Sequence, residues 1–160
     1  MDTKKQLDVR MVSLSPLMEE VIAAGGTVEL TVSGNSMFPM LKHRVSRVKL
    51  SPAGKLKNGD LPLYRRDNGA FVLHRIIKDN GETYSMCGDN QYILERGIRP
   101  EQIIAVVTAF SRDGKKWTKS DNVLYIIYVR IWMLVRLLKR LVHGVPNRLR
   151  RILKRIKSSK

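Results

Sequence analysis

The sequence predicts a mostly β domain with a short N-terminal helix and a C-terminal basic amphipathic helical arm. Three observations carry that expectation. Short apolar runs recur between residues 27 and 111, separated by Gly, Pro and Asp-Asn punctuation, with no sustained helical period among them. Charge is asymmetric: the chain carries +16, and residues 123–160 hold 11 basic and no acidic residues. That last segment opens on a 13-residue run that is apolar except for Arg130. The expected organisation is an N-terminal segment over 1–26, a β domain over 27–122 and the arm over 123–160. With 160 residues and 43% hydrophobic content, one core is within reach and global disorder is excluded.

The elements follow in order. "SPLMEEVIAAGG" predicts a helix: Ser15 suits the cap, Pro16 the first turn, Glu19 and Glu20 the positive end, and Gly25 and Gly26 stop it. In "TVELTV", Val28, Leu30 and Val32 alternate with polar residues, which predicts a half-buried strand running into the turn "SGNSMFP". Further strands are expected at "RVSRVKL", "DLPLYRR", "AFVLHRII", "ETYSMC" and "QIIAVVTAF". Turns are expected at "PAGKLKNGD", "RDNG", "KDNG" and "ERGIRP".

The arm differs in kind. As a helix, residues 123–135 measure roughly 20 Å, shorter than the about 20 residues a membrane span needs. Gly144 and Pro146 break it, and "NRLRRILKRIK" then sets Leu149, Ile152, Leu153 and Ile156 on one narrow face amid basic residues. That is the pattern of a helix lying in a lipid interface. An anionic membrane surface is therefore the expected partner, with Trp132, Arg136, Lys139, Arg140, Arg150, Arg151, Lys154 and Arg155 as contacts. Packing on a partner protein is the plainer alternative. Nucleic acid is not expected, because a nucleic-acid arm has no use for so apolar a run. No apolar leader or anchor is read at the N-terminus, so a surface-bound arm places the domain on the cytoplasmic face, whereas a spanning arm over 123–142 would keep the basic end inside and turn the domain outward. The single cysteine, Cys87, excludes an internal disulfide framework and a cysteine zinc cluster, and neither cofactor nor metal is expected.

A nucleophilic serine needs a base, and the base needs orienting. Ser36 stands in "GNSMFPML", a composition that taken alone reads as a plain turn. Of three histidines, His143 belongs to the cationic tail and His43 to a solvated loop. His74 sits inside the apolar run "GAFVLHRII", where a packed core histidine is the plainer reading. Asp89 in "MCGDNQ" reads alone as a turn residue.

"SGNSMFPMLKHRVSRVKL" resembles the serine segment of type I signal peptidases, with Gly34, Ser36, Met37 and Pro39 matching; Met40 stands where that family usually has Thr. "NGDLPLYRRDNGAFVLHRII" is similar to its Gly-Asp segment and the strand bearing the general base. His74 followed by Arg75 resembles the serine-histidine branch of endoplasmic-reticulum and sporulation type. "YSMCGDNQYILERGIRPEQIIAVV" resembles the Gly-Asp-Asn segment and closing strand, through Gly88, Asp89 and Asn90. The resemblance covers about residues 27–108 in order.

It implies a signal-peptidase-like complex β fold and a membrane-associated serine endopeptidase acting on a peptide or preprotein. Ser36 would be nucleophile, His74 general base and Asp89 the residue that orients the imidazole or stabilises its charged form. Gly34, Met37 and Phe38 would line the substrate cleft. Gly34 has no hydroxyl, which leaves the Ser36 backbone N–H as oxyanion donor. The alternative is a non-catalytic module of the same fold that binds a peptide or partner, targeted to anionic membrane by its arm. Self-cleaving repressors share the fold in family terms, but they use a lysine base and a separate DNA-binding domain for which residues 1–26 are too short.

Overall fold

The computed structural model describes residues 15–137. Contributions expected of Lys139, Arg140, Arg150, Arg151, Lys154 and Arg155 lie outside the described residues. The chain divides between Asn122 and Val123 into two compact units.

The first unit is mostly β. Helix α1 covers 15–23, and its end is closed by the Gly25 and Gly26 N–H groups donating to the Ile22 and Val21 carbonyls, with Gly25 at φ +84°. Strand β1 (Val28–Thr31) pairs antiparallel with β2 (Arg47–Ser51), and its residues alternate half-buried and exposed as the sequence pattern requires. Strands β3 (Pro62–Arg65), β4 (Phe71–Leu73), β8 (Ile103–Ser111) and β9 (Trp117–Lys119) complete this sheet, in the order β1-β2-β8-β3-β4, with β9 paired to β8. Register shifts at Lys49/Leu50 and Leu63/Tyr64 bend the long β8 between its neighbours. A second antiparallel sheet holds β5 (Arg75–Asp79), β6 (Tyr84–Cys87) and β7 (Glu95–Ile98).

The core lies where the sheets face one another. Tyr64 from the first meets Ile76, Met86 and Ile98 from the second, with Leu56 beside them. Burying side chains of this size contributes about 1.5–3 kcal/mol each.

Three sequence expectations change. "AFVLHRII" is two strands: β4 belongs to one sheet and β5 to the other, and His74 is the joint between them. "ERGIRP" begins as strand β7, because Met86 pairs with Glu95 and Tyr84 with Ile98, so neighbouring backbone groups outweigh its turn-like composition. Strand β9 was hidden in the polar run after Ser111 and exists through pairing with Ala109, Phe110 and Ser111.

The second unit is described as helix α2 over 123–137. Val123, Leu124, Ile127, Ile131, Leu134, Val135 and Leu137 are all exposed. Trp132 and Arg136, one turn apart, stack with the guanidinium 5.5 Å from the ring centre. No helix among the described residues is long and apolar enough to cross a membrane.

Candidate active site

The serine turn is built from both ends. Val32 and Ser46 close its base through Val32 N–H donating to the Ser46 carbonyl at 2.8 Å. The Ser46 hydroxyl accepts from Lys42 N–H and donates to the Arg112 carbonyl, tying the turn to the end of β8. Gly34 adopts φ +91°, a conformation costly for any residue with a Cβ, and its N–H donates to His43 Nδ1 at 2.8 Å. His43 is therefore a bracing residue of this turn, not a merely solvated one. Within the turn, Met37, Met40 and Leu41 point inward at helix-like spacing and are buried, while Phe38 is 46% exposed. Of the three expected cleft residues, Met37 is thus core. At 1% exposure it has no face to offer a substrate.

Ser36 is held from the opposite side by the Gly-Asp-Asn segment. Asn90 N–H donates to the Ser36 carbonyl at 2.8 Å, and the Asn90 side chain donates to the Asn35 carbonyl at 3.3 Å. A Cβ at Gly88 would stand 2.5 Å from the Ser36 carbonyl oxygen and 3.0 Å from its Cβ, so the approach requires glycine.

Asp89 does not orient the imidazole. Its two carboxylate oxygens accept from Arg75 Nε at 2.8 Å and Arg75 Nη2 at 2.7 Å, and both side chains are fully buried. A buried guanidinium demands such a partner, which is why Asp89 is taken. Arg75 also donates to the Gly59 carbonyl at 2.8 Å and contacts Met40 Sδ at 3.0 Å. One side chain therefore joins the serine turn, the Gly59–Asp60 segment and the Gly-Asp-Asn segment. Met40 serves here as a soft acceptor beneath the site.

His74 is 3% exposed, and its surroundings are different ones. Nδ1 lies 3.2 Å from the Tyr64 hydroxyl and 3.9 Å from Glu95 Oε2. Glu95 is gripped by Arg66 through Nε at 2.7 Å and Nη2 at 2.6 Å. Burial pushes the His74 pKa down to about 4, only partly opposed by Glu95, so the imidazole is neutral at pH 7. Arg66 holds the Glu95 carboxyl below its usual range, and burial pushes the Tyr64 hydroxyl upward, so it stays protonated.

No hydrogen bond joins the Ser36 hydroxyl to His74 among the described residues. The two are nonetheless brought into one neighbourhood. Gly88 touches Ser36, and the preceding Cys87 pairs in register with Arg75, next to His74. The Ser36 backbone N–H likewise has no acceptor among the described residues. No group of acidic, histidine or cysteine side chains suited to a metal ion occurs among the described residues.

Sequence reasoning missed Tyr64, Arg66 and Glu95. Glu95 lay in a stretch read as a turn, and Tyr64 looked like an ordinary strand aromatic. No protein-family model and no curated protein matches the chain.

Proposed function

We propose that this chain is a membrane-associated serine endopeptidase of the signal-peptidase type, with Ser36 as nucleophile and His74 as general base. One observation carries the reading most. His74 is buried and neutral, and its Nδ1 is engaged by the Tyr64 hydroxyl with the Glu95 carboxylate nearby, which leaves Nε2 as the nitrogen for Ser36. Ser36 Oγ attacks a peptide carbonyl while Nε2 takes its proton. The same proton then goes to the leaving amine, and water releases the acyl group by the reverse sequence. The Ser36 N–H supports the oxyanion. Hydrogen bonds of unliganded catalytic pairs are commonly long and tighten with substrate, which accommodates the open Ser36–His74 contact. The exposed apolar residues of α2 support membrane association, with the helix lying in the interface.

The open contact also favours a second reading, a peptide-binding module without catalysis. Incubation of the full chain with a peptide library on anionic vesicles, read by mass spectrometry, separates the two. Cleavage that disappears in Ser36→Ala and in His74→Ala supports the peptidase. Binding without cleavage supports the module.

A further inference from the structure

We infer that Tyr64 is a positioning residue that fixes the tautomer of His74, standing between the imidazole and a Glu95–Arg66 pair that anchors it. The inference rests on the reading of His74 as general base and adds a residue to it.

A general base acting through Nε2 must carry its proton on Nδ1. In a buried site that Nδ1–H needs an acceptor, because an unsatisfied buried donor costs about 1–3 kcal/mol. Glu95 Oε2, at 3.9 Å, is too far to accept directly. The Tyr64 hydroxyl, at 3.2 Å and fully buried, is the group within reach. Tyr64 is a single donor, and the carboxylate that acts on it is Glu95, whose own two oxygens are fixed by Arg66. With His74 acting through Nε2, Nδ1–H donates to the Tyr64 oxygen 3.2 Å away, and the negative Glu95 carboxylate nearby favours a Tyr64 proton turned toward it. Turning Tyr64 round to donate to Nδ1 would lose its alignment with the carboxylate and place the histidine proton on Nε2, the useless tautomer. The titratable and charged groups facing the ring are Tyr64 on β3, Arg66 just after it and Glu95 on β7.

When Nε2 accepts the Ser36 proton, the imidazolium keeps its Nδ1 proton against Tyr64, and no proton leaves for Glu95. Tyr64→Phe preserves the ring and removes only the hydroxyl, and with it the acceptor for Nδ1–H. In a serine protease, a wrong histidine tautomer lowers kcat by about 10⁴. A fall of at least about 10²-fold is expected here.

The test is nitrogen-15 NMR of the full chain labelled at histidine, at pH 7. The wild-type spectrum needs no variant and decides first: a protonated Nδ1 with an unprotonated Nε2 for His74 is expected, and the opposite tautomer overturns the inference. In Tyr64→Phe the signal should move toward protonated Nε2, with kcat falling and KM little changed. Glu95→Gln removes the carboxylate that orients the Tyr64 hydroxyl, so it should weaken the Nδ1-protonated preference less than Tyr64→Phe does and lower the pH at which His74 protonates. An unchanged tautomer in folded Tyr64→Phe also overturns the inference. Cleavage that persists in Ser36→Ala would remove the peptidase reading while leaving the tautomer result to stand by itself.

Discussion

Replacing Asp89 by alanine isolates what the buried ion pair does. Arg75 and Asp89 are both 0% exposed in their side chains, and two short hydrogen bonds join them. After the substitution the guanidinium keeps its contacts to the Gly59 carbonyl and Met40 sulfur but loses its counter-charge. Breaking a buried pair in this way costs about 3–5 kcal/mol. For a chain of this length each kcal/mol moves Tm by about 2–4 °C, giving a loss of roughly 6–20 °C by thermal circular dichroism. Asp67→Ala is the control. Its partner Arg99 is 54% exposed and Asp67 itself 78%, so less than about 1 kcal/mol should be lost. The double variant Arg75→Met, Asp89→Leu should recover most of the stability, because no buried charge is stranded. Equal Tm shifts in Asp89→Ala and Asp67→Ala would refute the reasoning. So would a double variant no more stable than Asp89→Ala.

Other expectations concern neighbouring parts of the molecule. Gly88→Ala should destabilise by about 1–3 kcal/mol and impair cleavage together, since the added methyl meets the Ser36 backbone; urea unfolding and a cleavage assay check this. His74 titrates near 6.5 when unfolded and near 4 when folded, so the unfolded chain binds more protons between these values. Its contribution is intact above pH 6.5 and is lost as pH falls toward 4. Urea midpoints should therefore drop more steeply in that window for wild type than for His74→Gln. The acid limb of kcat/KM should lie well below pH 6.5. Ile127→Asp with Ile131→Asp removes two exposed apolar residues of α2; at about 1.5 kcal/mol each, partitioning onto anionic vesicles should fall roughly 100-fold in a sedimentation assay.

Much of the fold was legible because β residues alternate and turn residues punctuate them. The pattern in "TVELTV" maps directly onto β1, and Gly25 ends α1 as its sequence position suggests. What periodicity could not reveal was long-range pairing. A continuous apolar run such as "AFVLHRII" gives no sign that its centre crosses from one sheet to another. "ERGIRP" has loop composition and becomes a strand only because β6 lies beside it. The same limit governs the site. Ser36 and His74 were singled out by a family resemblance where their local sequence read as a turn and a core histidine, and the partners of each charge depend on which side chains meet after folding. Asp89 looked available until Arg75, one residue from His74, proved to be buried and to need it. Glu95 and Tyr64 came to the imidazole from other strands, beyond the reach of any local pattern.

The central claim is that Ser36 and His74 act together on a peptide bond. The most direct measurement compares wild type, Ser36→Ala and His74→Ala, each confirmed folded by circular dichroism, against one peptide library on anionic vesicles. Cleavage by wild type at defined bonds, lost in both variants, is the predicted result. Equal cleavage by wild type and Ser36→Ala would contradict it.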